Sequence, residues 1–498
     1  MHLRFPTRFD NGDITIKQSI VQFAAHKLLC MSTESIEDKD VQLKGDESLA
    51  CLAVRLGLEF RATSWLEGTA ERTQVERHMR ICLSAGAGFR SLVTVSPSEP
   101  LLAEASWTVM SKCLGLKEAP RALLTHIDGS YLDAGGRGEV VAALLILLAR
   151  DKAIQDRKAP QSDSTQLPAM SLDDFKRDGD SRIVTVLEFV DALVPTGSRP
   201  FVRGRKPSHY SKGHSSSTVL EKAFGDSFIY FNHFIKVYDF KMINRKYLWR
   251  LICRGAAVVC ASNQMGVDIL VPVLTGTILQ PEFVSAILFQ VKNNARYTNN
   301  VSPTSAILFT MMDPFKVGLF SKRDMENPLP PVLRIVLALA SRKPSVTAPS
   351  LRLHRSPCLG NDKFTAYDLW IAGVFPESFG VIPDQAMGDQ YRLLLDRTRN
   401  VFNGYGALKD DGGELAEGER GRINVRWTMH PGAASKDEHF QNYIIVSEGE
   451  TSTLSYVVDN HVGASGSESV DTEDPEHKDE YFSTSDEGFY ETDEMGTD

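Results

Sequence analysis

Residues 266–294 read GVDILVPVLTGTILQPEFVSAILFQVKNN, two apolar runs interrupted by Asp268, Gln290 and Lys292. Strand interiors exclude such groups unless they are paired or functional. Side chains alternate along a strand, so in SAILFQVK (285–292) Gln290 and Lys292 share a face, about 6–7 Å apart. If VDILVPVL is the neighbouring strand, Asp268 reaches the same patch. Carboxylate and amide oxygens suit a hard divalent cation, Mg2+ or Mn2+, which keeps several waters and shares its site with substrate phosphates. A lysine beside such an ion can orient or help deprotonate the attacking water and offset phosphate charge. Glu139, in the first turn of a packed helix upstream, is a further carboxylate.

Each residue also has a plainer reading. Asp268 suits a hairpin end beside NQMG, Gln290 and Lys292 suit a solvated edge strand, and Glu139 complements the dipole of its own helix.

The elements that must position these residues can be read from the hydrophobic pattern. GSYLDAGGRGEVVAALLILLARDKAI (129–154) is a glycine-rich turn followed by a helix apolar nearly all round, which has to be packed on most sides. AAVVCAS (256–262), the turn-like NQMG and VDILVPVL (267–274) predict a β-hairpin, with SAILFQVK as the next strand. SAILFTMM, PVLRIVLALA and AYDLWIAGVF also read as strands, and FIYFNHFIKVYDF is β-prone. INRKYLWRLICRG reads as a helix ended by Gly255, SRIVTVLEFVDALV as an amphipathic helix, and DQAMGDQYRLLLDRTRN (384–400) as another.

RGE within GGRGEVVAALLILLAR, GVD and QVK, in that order, resemble the PD-(D/E)XK nuclease superfamily, the restriction-endonuclease and Holliday-resolvase-like fold. Its pattern is a helix carrying a Glu, then a three-stranded meander with an Asp on the second strand and (D/E/Q)xK on the third. The resemblance implies that Asp268 and Gln290 bind Mg2+ or Mn2+ together with the Val291 carbonyl. Glu139 would bind directly or through water, and Lys292 would position the nucleophilic water. The implied reaction is metal-assisted phosphodiester hydrolysis of nucleic acid, DNA above RNA. The chain departs from the pattern in two ways. About a quarter of its length separates Glu139 from Asp268, and Gln290 offers a carbonyl without charge. The alternative is therefore a weak or inactive nuclease fold that binds nucleic acid or a protein partner. Over roughly residues 70–400 the chain is also similar to a group of fungal proteins sharing stretches like QVERHMRICL, SEPLLAEA and FNHFIKV, and that likeness carries no activity with it.

The predicted architecture is α/β, with a restriction-endonuclease-like mixed central sheet flanked by helices. Residues 1–117 read as a mainly helical N-terminal region, with TQVERHMRICL among its helical stretches. Residues 118–410 read as the core with an insertion at about 151–250, 411–462 as an extension, and 463–498 as a disordered acidic tail.

The net charge of −9 hides an asymmetry. Gly466–Asp498 holds 13 acidic residues and one lysine, a local −12 that leaves +3 for residues 1–465. A near-neutral body allows a local basic patch, and Arg199, Arg203, Arg205, Lys206 and Lys212 form the strongest basic cluster, either a phosphate-backbone contact or a solvated loop. RGRKP could serve as a nuclear import signal. The seven cysteines are scattered and never spaced as CxxC, which argues for free thiols in a reducing compartment, with Cys253 and Cys260 in the core. No apolar run reaches the roughly 18–20 residues of a membrane span, and the start lacks a signal-peptide pattern. The expectation is an intracellular protein of the nucleus or cytoplasm.

Overall fold

The computed structural model describes residues 14–31, 43–62, 65–86, 92–114, 119–124, 137–158, 182–210, 217–261, 264–326, 328–349 and 364–405. These fall within one compact unit, Met1–Ile444. The predicted extension and acidic tail lie outside the described residues.

The N-terminal region comprises α1 (Ile14–Leu29), α2 (Gly45–Leu56), β1 (Glu59–Ala62), α3 (Trp65–Arg77), β2 (Ile81–Ala85), β3 (Leu92–Val95) and α4 (Pro100–Val109). It is less uniformly helical than its periodicity predicts, because β1, β3 and β2 form an antiparallel sheet. The helix expected to run through TQVERHMRICL stops at Arg77, and Met79 takes a left-handed φ of 55°. Arg80 then turns inward, donating to Thr94 Oγ1, Ser96 Oγ and the Leu58 carbonyl, and so ties β3 to the end of α2.

The second layer is a nine-stranded mixed sheet. Its strands are β4 (Val184–Thr185), β5 (Ser227–Ile229), β6 (His233–Lys236), β7 (Ala256–Val259), β8 (Ile269–Thr275), β9 (Val284–Lys292), β10 (Val332–Ala338), β11 (Ser345–Thr347) and β12 (Ala366–Ala372). The path runs β11-β12-β10-β9-β8-β5-β4, and β7 joins β8 beside β5 with β6 paired to β7. β7, β8 and β9 form an antiparallel meander, while β10 runs parallel to β9 and β12 parallel to β10. The predicted hairpin and the strands over 285–292, 332–338 and 366–372 are therefore present.

Helices cover both faces. α5 (Arg137–Lys158) lies on one, its Val141–Ala149 stretch almost fully buried with Ile269, Val271, Ile287 and Phe289 in one core. α9 (Arg245–Arg254) and α10 (Pro303–Met311) lie on the other, with Leu270, Leu288 and Trp370. Each fully buried Leu or Phe contributes roughly 1.5–3 kcal/mol by leaving water, which is why a helix with no polar face is stable here. Gly255 ends α9 at φ 68°, as its sequence predicts. Cys260 is buried but Cys253 is exposed, because α9 turns Tyr247, Leu248, Leu251 and Ile252 inward instead.

Two further expectations change. SAILFTMM is helical: Ser302 Oγ accepts the Ser305 N–H and Pro303 occupies the first turn, so α10 starts there despite its apolar run. The region read as an insertion also supplies β4, β5, β6 and α6 (Val186–Leu193), three of these being strands of the central sheet itself. Arg55 on α2 forms a buried bidentate pair with Asp151 on α5, at 2.6 and 2.8 Å, which locks the N-terminal region to the sheet-covering helix. Among the described residues no helix is long and apolar enough to cross a membrane.

Candidate functional site

β8 and β9 pair with Ile269 opposite Phe289 and Leu270 opposite Leu288. One further step would set Asp268 opposite Gln290, on the Leu270 and Leu288 face. The ladder breaks at that step, since the Asp268 N–H donates to the Phe289 carbonyl at 2.9 Å, one residue out of register. The Asp268 carboxylate fills the gap by accepting the Val291 N–H through Oδ2 at 2.5 Å, and its carbonyl accepts the Cys260 N–H at 2.8 Å. Asp268 is thereby clamped by main chain from both neighbouring strands.

Gln290 is 5% exposed, and its Oε1 is buried with no hydrogen-bond partner among the described residues. Such an orphan acceptor costs on the order of 1–3 kcal/mol. Asn293, just past β9, has a buried Oδ1 in the same condition.

Glu139 sits in the first turn of α5. The helix start abuts the end of β9 closely: a Cβ on Gly138 would lie 3.1 Å from Asn293 Cβ and 3.2 Å from Val291 Cγ1. Burial, with the Asp268 charge added, pushes the Glu139 carboxyl up to about 7, against the pull of Lys236 and Lys292. Burial likewise raises Asp268, opposed by the Val291 N–H and by Lys292. Cys260 is raised well above the usual thiol range by burial and by these two acids. Two carboxylates crowded at a buried sheet end are an arrangement that a cation would relieve.

Glu139, Asp268 and Lys292, from three separate elements, lie close enough at one end of the sheet to feel each other's charge, and Gln290 sits at the same end on the face away from α5. Lys236, at the end of β6, belongs with them and was not singled out by sequence. Its signal was a charged residue inside the β-prone run FIYFNHFIKVYDF. Oxygen donors at this sheet end are the two carboxylates and, on the face away from α5, Gln290 Oε1. Among the described residues no three His, Cys, Asp or Glu side chains group to hold a metal ion.

The basic cluster is elsewhere and mostly engaged internally. Arg203, on α7 (Arg199–Arg203), pairs with Asp191 of α6 and with Glu221 of α8 (Leu220–Ala223), at 2.5 and 2.7 Å. Arg199 donates to the Asp191 carbonyl and Arg205 to the Pro349 carbonyl. These arginines hold short helices together. Lys206 is exposed, and Lys212 lies outside the described residues. His233 is fully buried and satisfied, with Ser98 Oγ at 3.0 Å and Asn232 Oδ1 at 2.7 Å.

A family model described as a domain of unknown function, DUF8736, matches residues 39–167. The match takes in the N-terminal sheet and α5 with Glu139, and ends before the strands bearing Asp268, Gln290 and Lys292. No curated protein and no solved structure matches the chain.

Proposed function

We propose that this chain hydrolyses phosphodiester bonds in nucleic acid, DNA before RNA, with Mg2+ or Mn2+ held at the β8–β9 sheet end. The supporting observation is that Glu139 on a helix, and Asp268, Gln290 and Lys292 on the second and third strands of an antiparallel meander, lie at one end of the sheet. That is the order and placement found in PD-(D/E)XK nucleases, which this region resembles.

The residues fit a hard cation. Gln290 Oε1 is a buried acceptor lacking a donor, and Glu139 and Asp268 are both pushed toward protonation in its absence. A bound cation would supply Lewis-acid polarisation of the scissile phosphate. Glu139, Asp268, Gln290 and the Val291 carbonyl would hold it. Lys292, on the same strand face as Gln290, would orient the attacking water and take up part of the charge that develops on the phosphate. The Val291 N–H fixes the Asp268 carboxylate through one oxygen, so Oδ1 is the oxygen that faces a ligand.

A second reading has its own observation. Asp268 already closes a broken ladder, and Gln290 carries no charge, which suits a nuclease fold retained for binding nucleic acid or a protein. Incubating purified protein with supercoiled plasmid and Mg2+ or Mn2+ separates the two. The nuclease reading expects nicking that Asp268→Ala and Lys292→Ala abolish. Equal cleavage by wild type and variants, or binding without cleavage, contradicts it. A DNA nuclease of this kind would act in the nucleus or cytoplasm.

A further inference from the structure

Resting on that proposed function, we infer that Lys236 is a substrate-positioning residue that binds a phosphate of the nucleic-acid strand from the α5 side of the sheet. Lys236 pairs in register with Val259, and Val259 with Ile269, so the three form one row across β6, β7 and β8. Val259 and Ile269 pack on the α5 face, which puts Lys236 on the face where Glu139 enters. Asp268 follows that row by one residue. Gln290 and Lys292 belong to the opposite face, so the two lysines approach the carboxylates from opposite sides of the sheet end.

The Lys236 ammonium influences Glu139 more strongly than Lys292 does. Even so, among the described residues it has no carboxylate within ion-pair distance. It lies 5.7 Å from the centre of the Tyr238 ring, and the Tyr238 hydroxyl donates to Glu59 Oε2 on β1 at 2.8 Å. The ammonium of this half-buried lysine, steadied on an aromatic face rather than neutralised by a carboxylate, is placed to meet an anion. The charges point to the same ligand. Glu139 and Asp268 balance Lys236 and Lys292, so a divalent cation on the two acids leaves these four groups and the ion at about +2. An anion is what that site then attracts, and a polyanionic strand offers phosphates on both sides of the scissile one.

Binding of fluorescein-labelled duplex DNA, measured with Ca2+ in place of Mg2+ to suppress turnover, tests this across a salt series. Losing one phosphate contact lowers the magnitude of the slope of log affinity against log salt by about 0.9. Lys236→Met and Lys236→Gln, which remove the charge at similar length, should both show that loss. Lys236→Arg should keep the wild-type slope. Wild-type slopes in both neutral variants overturn the inference while leaving cleavage to be judged on its own. If wild type neither binds nor cuts DNA, the proposed function falls and takes this inference with it.

Discussion

Replacing Glu139 by glutamine should stabilise the cation-free protein, and more so as pH rises. The carboxyl moves from an ordinary 4.5 to about 7 on folding, mainly through burial. Between those values the folded state holds a proton that the unfolded state has released, so stability falls as pH rises through this window and levels off above it. A shift of that size is worth about 3 kcal/mol in full, of which about 2.5 kcal/mol is lost between pH 5 and pH 8. Glutamine keeps the shape and never ionises, so Glu139→Gln should lack that loss. Asp268 is raised in the same direction and stays in both proteins. Urea unfolding in EDTA at pH 5 and pH 8 gives the four stabilities needed. The difference between variant and wild type should widen by about 2.5 kcal/mol from the lower pH to the higher. Parallel pH dependence in the two proteins would refute the claim that Glu139 is buried against Asp268.

Two other substitutions probe neighbouring claims. Gln290→Met removes an orphan acceptor at similar volume, so urea unfolding without cations should show it neutral or more stable by about 1–3 kcal/mol, while plasmid cleavage disappears. Asp151→Ala leaves Arg55 and Arg150 buried without their shared carboxylate, and should lower unfolding free energy by about 3–5 kcal/mol. A loss below about 1 kcal/mol would mean that α2 and α5 are not locked by this pair.

Much of the sheet was legible because short, near-continuous apolar runs rich in Val, Ile and Leu left little choice for β8, β9, β10 and β12. The face shared by Gln290 and Lys292 followed from the alternation of side chains along any strand. What the sequence did not reveal was set by contacts distant in the chain. β2 was hidden inside a helical pattern that ends only because Met79 takes a left-handed turn and Arg80 bonds across to β3. α10 carries a strand-like composition that its Ser302 cap and Pro303 override. Lys236 could not be assigned to the site without knowing that β6 lies beside β7. The arginines of 199–205 looked available for phosphate until Asp191 and Glu221 were seen to hold Arg203.

The central claim is that Glu139, Asp268 and Gln290 form a divalent-cation site, and calorimetric titration with Mn2+ tests it most directly. Wild type at pH 8 should bind one ion, with affinity falling below pH 7 as Glu139 takes up its proton and with protons released on binding. Asp268→Ala should abolish that binding. No binding by wild type, or equal binding by Asp268→Ala, would contradict the account.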